Sequence, residues 1–150
     1  MAETNLYWPS VSTHQQIQER TRGWFQTTVS AAACNRHNTK VPNQQGGAAM
    51  IARDQFAHRC YTRGYDYLGR WMVLTFRGKE GLALRVVTAY RPIPGSGPYT
   101  VYQQQVEYYS SKDNNKCPIT NYDNYLTKII EEWIEGGDQV ILMIDANEAL

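Results

Sequence analysis

Two pairs of residues in this chain are of types and spacing that do chemistry. Asp145 and Asn147 close an apolar run, Val140 to Ile144. An aspartate in that place can take a proton from water or hold a cation, and an asparagine beside it offers a phosphate or a nucleophile both a donor and an acceptor. Tyr90 and Arg91 close a second apolar run, Leu82 to Tyr90, and put a phenol and a guanidinium in the same kind of place. Taken singly, each pair has a plainer use. Asp-x-Asn also starts turns and caps helices, and Tyr-Arg serves as an aromatic rim beside a surface ion pair.

The elements that must position them follow from pattern. Val140 to Ile144 is too short for a free-standing helix and rich in large aliphatic side chains, so it reads as a buried central strand of an α/β sheet. Asp145 then lies at the strand's carboxyl end, where open α/β sheets place ligands. The residues before it form an amphipathic helix: Tyr122, Tyr125, Leu126, Ile129, Ile130, Trp133 and Ile134 keep helical spacing, Asn121 is the expected cap and Gly136-Gly137 the stop. Trp71–Phe76 and Leu82–Tyr90 form a hairpin around Gly78-Lys79-Glu80-Gly81. A proline- and glycine-rich loop leads to Thr100, the cap of a helix running from Val101 to about Tyr109, with Gln103, Gln104 and Gln105 expected on its solvated surface.

Earlier in the chain, Ser12 to Gln26 has helical spacing through Ile17, Trp24 and Phe25, with Ser12 or Thr13 as cap. Val29 to Cys34 reads as a short strand. Gly46-Gly47 opens another, Ala48 to Ala52, and lets its backbone approach a neighbour closely. Arg53 to Arg70 holds four arginines against two aspartates, plus His58. Such a segment either lines the path of an anionic ligand or forms a solvated face. Asp113 to Lys116 is a polar turn.

A chain of 150 residues amounts to one domain, and 42% hydrophobic with 19% charged residues is the composition of an ordinary globular protein. The net charge of +1 is too small to hold nucleic acid by charge alone. Cys34, Cys60 and Cys117 are far apart, which argues against a disulfide framework or a zinc site and favours a reducing, intracellular compartment, cytoplasmic or nuclear. No signal-peptide pattern is read at the start, and no apolar run approaches the roughly 20 residues of a membrane span. Eleven tyrosines and four tryptophans suit a sheet-rich core with a wet rim.

Four features stand in a fixed order: Glu3-Thr4-Asn5, Gly46-Gly47 before a strand, a strand ending Thr88-Ala89-Tyr90-Arg91-Pro92, and a strand ending Ile144-Asp145-Ala146-Asn147-Glu148. In that order they resemble the endonuclease/exonuclease/phosphatase (DNase I-like) superfamily. Leu68-Gly69-Arg70-Trp71 and Asp-Ala-Asn-Glu look most like the endonuclease-type domains near reverse transcriptases or in mobile elements and viruses. The resemblance implies a mixed sheet with flanking helices, part of a four-layer α/β sandwich, incomplete at both ends. It makes residues 1–150 roughly the N-terminal half to three-fifths of such a domain.

It further implies Mg²⁺, with Mn²⁺ as the alternative, ligated by Glu3 through carboxylate oxygen. Asp145 would position and deprotonate the attacking water, Asn147 would hold the scissile phosphate or that water, and Tyr90 would bring its hydroxyl to the phosphate. Arg91 is a candidate phosphate contact, and Asn5 faces the same cleft. The family's later aspartate and Asp-His pair have no match in these residues.

The implied activity is Mg²⁺-dependent phosphodiester hydrolysis, foremost as an endonuclease on DNA or RNA, with no membrane partner and a reverse transcriptase-type domain as the expected neighbour. Two other readings remain at this point. One is a phosphatase or phosphodiesterase of the same superfamily, the other a non-catalytic remnant or binding module of the same fold. The family packs two sheets face to face, and this chain supplies roughly the strands of one. Trp71–Phe76, Leu82–Tyr90 and Val140–Ile144 are therefore expected to leave apolar side chains in water.

Overall fold

Alternating apolar residues in the middle of the chain form an antiparallel ladder, and the last strand joins it in parallel. The computed structural model describes residues 4–12, 16–24, 27–37, 44–95 and 97–147. The elements are α1 (Ile17–Arg20), β1 (Thr28–Ala33), β2 (Ala48–Arg53), α2 (Asp54–Arg59), β3 (Cys60–Tyr65), β4 (Trp71–Arg77), β5 (Ala83–Tyr90), α3 (Val101–Ser110), α4 (Pro118–Glu135) and β6 (Gln139–Asp145). They build two sheets. β1 and β2 pair antiparallel, and the larger sheet has the order β3-β4-β5-β6, antiparallel except for the parallel β5–β6 pair. The architecture is mixed α/β.

The central strands of the large sheet, β4 and β5, are covered on both faces. On one, Met72, Leu74 and Phe76 pack against Ala31, Ala33, Ala48, Met50 and Ala52 of the small sheet. Small side chains on one sheet and large ones on the other let the two backbones approach without leaving voids. On the other face, Trp71, Val73, Val87 and Ala89 meet Tyr122 and Leu126 of α4, with Ile129, Ile130 and Trp133 beside them. Trp71 to Phe76 is consequently buried throughout, and the expectation that β4 and β5 stand open to water is corrected. The alanine-rich β1–β2 pair, read as strands from the sequence but with no sign there of where it packs, does the covering.

β6 departs from its expected place. It is an edge strand, and among the described residues nothing pairs its outer side. Ile141, Leu142, Met143 and Ile144 are 39–50% exposed rather than buried in a sheet centre. Its apolar run matches a strand covered on both faces, yet only Val140 packs into the α4 core. An edge of this kind, with free backbone groups and apolar side chains, favours association with another strand.

Local chemistry moves several boundaries. The helix expected over Ser12–Gln26 is four residues long where described. Thr21 turns its hydroxyl back to the Ile17 carbonyl, and Gly23 takes φ +83°. Asn121 does not cap α4. Pro118, whose fixed φ suits the first helical position, starts the helix after Cys117, leaving Asn121 inside the first turn. Gln104 and Gln105 are buried, not solvated. The Gln104 carboxamide donates to the Tyr99 carbonyl at 2.9 Å and accepts from Asn35 at 3.1 Å, so α3 is anchored by amide bonds that leave no apolar periodicity. Arg53 to Arg70 contains α2 and β3, the latter an exposed edge strand with a register shift between Cys60 and Thr62. Thr100 caps α3 as expected, accepting from the Gln103 amide.

The β5–β6 register is pinned at its start. Asp138 accepts the Ala83 amide at 3.2 Å on one oxygen and the Arg85 Nε at 2.6 Å on the other, and Arg85 lies 4.8 Å from the Trp133 ring centroid. Both partners are mostly buried. Replacing Asp138 by Ala strands a guanidinium and an amide, and is expected to cost about 1–3 kcal/mol in urea unfolding. Asp138→Asn, which still accepts, is expected to lose less. Equal stability of Asp138→Ala and the parent would refute the clamp.

Candidate active site

The parallel register sets Tyr90 directly opposite Asp145. Register partners on neighbouring strands share a face. That face is the one carrying Leu84 and Val86, toward the small sheet. Tyr90 is buried and Asp145 exposed, so the phenol is fixed by packing while the carboxylate meets solvent.

Arg91 and Asn147 lock this corner through the backbone. The Arg91 amide donates to the Asp145 carbonyl at 2.9 Å, and the Asn147 Nδ2 donates to the Arg91 carbonyl at 2.8 Å. Asn147 adopts φ +50°, a left-handed conformation that asparagine tolerates better than most residues, and its own amide donates to the Asp145 Oδ1 at 3.2 Å. The Arg91 side chain goes elsewhere. Its Nε and NH2 each donate to Asp123 of α4 at 2.8 Å, forming a two-pronged ion pair. That geometry uses the guanidinium to dock the strand end on the helix.

Asn5 belongs to a neighbouring surface. Its amide donates to the Gly46 carbonyl and its Oδ1 accepts the Gly46 amide, both within 2.9 Å. A Cβ on Gly46 would stand 2.7 Å from Val101, and one on Gly47 would meet Thr4 and the Ala33 carbonyl; both glycines have positive φ. The pair therefore serves a tight strand entry that only glycine permits. Gln45, next in line, shares a cavity of about 220 Å³ with Tyr90, Ile93 and Thr100. Glu3 lies outside the described residues.

Among the described residues no three His, Cys, Asp or Glu side chains converge on one point. Asp145 is the one described candidate carboxylate in this corner, since Asp123 is bound to Arg91. One carboxylate suits a largely hydrated Mg²⁺ completed by substrate phosphate, not a closed all-protein cage. The fit is compatible with weak binding.

Reading by sequence missed three features that hold the corner: the Asp138 clamp at the far end of β6, Asp123, and a buried pair behind Tyr90. In that pair Arg70 donates to Asp66 through Nε at 2.7 Å and NH2 at 3.1 Å, and its NH1 donates to the Tyr109 hydroxyl. The Arg70 carbonyl accepts the Tyr90 amide at 2.8 Å. Arg70, counted among the basic excess from Arg53 to Arg70, is thus neutralised and internal. The only signal for this was the four-residue spacing of Asp66 and Arg70. No protein-family model, characterised protein or solved structure matches the chain. No described helix is long and apolar enough to cross a membrane.

The three thiols differ in chemistry. Burial pushes the Cys34 and Cys60 thiols up. The exposed Cys117 thiol is drawn down by the Thr120 and Ile119 amides at the start of α4. Its thiolate is therefore populated at lower pH than an ordinary thiol's, and the thiolate is the reactive form. Cys117 is expected to alkylate faster than the other two at neutral pH. Peptide mapping after brief iodoacetamide treatment checks this, and modification of Cys60 first would contradict it.

Proposed function

We propose that the chain is part of a DNase I-like domain, with the four-layer α/β sandwich of that superfamily, and that it contributes to Mg²⁺-dependent phosphodiester hydrolysis of DNA or RNA. The observation that carries the reading is the parallel pairing of β5 with β6. It puts Tyr90 and Asp145 opposite one another at two carboxyl strand ends, with Asn147 bonded across to Arg91. A phosphodiester reaction asks for a base or water-holder, donors toward the phosphoryl oxygens, and compensation of developing charge. Asp145 is the exposed carboxylate that would accept a proton from water. Tyr90 would donate its hydroxyl to a phosphoryl oxygen from a fixed position, and Asn147 would keep the Asp145 loop in place. Bound Mg²⁺ would supply charge neutralisation at the phosphate, held by Asp145 and, by resemblance, Glu3.

Two observations favour a non-catalytic binding module as the second reading. Arg91 is spent on Asp123, and one described carboxylate serves the corner. Plasmid nicking with and without Mg²⁺ separates the readings. Asp145→Asn keeps shape and hydrogen bonding while removing the base. It is expected to lower cleavage by on the order of 10²–10⁴ with little change in melting temperature. Cleavage within threefold of the parent, or the absence of any Mg²⁺-dependent nicking, would overturn the hydrolytic reading.

A further inference from the structure

The turn between β3 and β4 and the turn between α3 and α4 enclose a second cavity, of about 350 Å³. Its floor is the Asp66–Arg70 pair, whose two charges cancel. Lys112 and Lys116 line it as well, and neither enters an ion pair or side-chain hydrogen bond among the described residues. They give the cavity a net positive charge.

Its walls are aromatic and prearranged. Tyr67 and Tyr125 are 51% and 45% exposed, so each leaves ring surface open to a ligand. Each is backed by another ring. Tyr125 stacks on Trp71 with centroids 6.3 Å apart, and Tyr67 tilts against Tyr108 at 5.9 Å. Asn114 adds a carboxamide without a hydrogen bond among the described residues. Backed aromatic rings, unpaired lysines and a free amide together match a flat π-faced group attached to an anion. A nucleobase with its phosphate is that ligand, and the volume lies at the lower end of the roughly 300–1,000 Å³ of small-ligand sites. An acidic peptide would use the lysines and leave the rings idle.

We propose that this cavity holds one unpaired nucleotide of a single-stranded nucleic acid, its base stacked on Tyr67 or Tyr125 and its phosphate at Lys112 and Lys116. A base paired within a duplex presents no free face to a ring, so the site selects single strands or frayed ends. The site lies one strand from the Tyr90 corner, joined to it by the Tyr90 amide bond to the Arg70 carbonyl. It shares with the hydrolytic reading only the expectation of a nucleic-acid partner.

Fluorescence anisotropy with labelled single-stranded DNA, single-stranded RNA and duplex DNA, in the absence of Mg²⁺, tests binding apart from cleavage. One of the single strands is expected to bind tighter than the duplex. Tyr67→Ala combined with Tyr125→Ala is expected to weaken it by roughly 5- to 100-fold, while Tyr67→Phe with Tyr125→Phe keeps the affinity because the rings remain. Lys112→Gln with Lys116→Gln is expected to reduce the slope of log affinity against log salt by about 0.7, the share of one phosphate. The proposal is overturned if the duplex binds as well as the single strands, if the Phe variants lose as much as the Ala variants, or if a polyglutamate peptide competes as well as unlabelled oligonucleotide. Single-strand binding without nicking upholds this site and removes the hydrolytic reading. Mg²⁺-dependent nicking without single-strand preference does the reverse.

Discussion

Every feature of the candidate active site depends on one register, the parallel pairing of β5 with β6. Side chains alternate faces along a strand, so a slip of one residue would turn Asp145 to the α4 face and leave Tyr90 opposite an isoleucine. The register is held at both ends by polar contacts. Asp138 gathers the Ala83 amide and the Arg85 guanidinium at the start, and Asn147 reaches the Arg91 carbonyl at the finish. Between them the strand contributes little packing of its own, because only Val140 joins the α4 core. The position of the carboxylate is thus decided by hydrogen bonds more than by burial.

A second constraint lies behind Tyr90. The Asp66–Arg70 pair is almost fully buried and bonded to Tyr109, which in turn donates to Asn121 of α4. This chain of polar groups ties the β3–β4 turn, α3 and α4 into one end of the sheet. A buried pair of this kind is weak evidence for stability as such, but removing one partner leaves an uncompensated charge inside the protein. Gly69 belongs to the same turn. With φ +70° and a Cβ position 2.4 Å from the Cys34 carbonyl carbon, it lets the turn press against the end of β1. The end of the sheet that carries both cavities is therefore tied together by contacts from β1, the β3–β4 turn, β5, α3 and α4.

What could be read from sequence was whatever apolar pattern and turn chemistry encode. The β4–β5 hairpin, the β1 and β2 strands, the Thr100 cap and the apolar face of α4 were all legible, because spacing and special residues signal them directly. The Tyr90 and Asp145 positions at strand ends were legible for the same reason. Their being opposite one another was not, since register follows from distant contacts such as Asp138 to Arg85. Gln104 looked solvated because amide anchoring leaves no hydrophobic periodicity. β6 looked central because a strand's composition records how apolar it is, not which neighbours cover it. The tyrosine and lysine cavity was invisible because its residues come from turns far apart in the chain and carry no pattern of their own.

The central claim is that β5 and β6 together present a carboxylate and a phenol to a metal-bound phosphate. Adding Mn²⁺ to uniformly ¹⁵N-labelled protein locates the cation directly, because paramagnetic broadening falls off steeply with distance. The account expects the amides of Tyr90, Arg91 and residues 144–147 to broaden first, and Asp145→Asn to abolish that pattern with the rest of the spectrum unchanged. Broadening that begins elsewhere, or that persists around Tyr90 in Asp145→Asn, would contradict it.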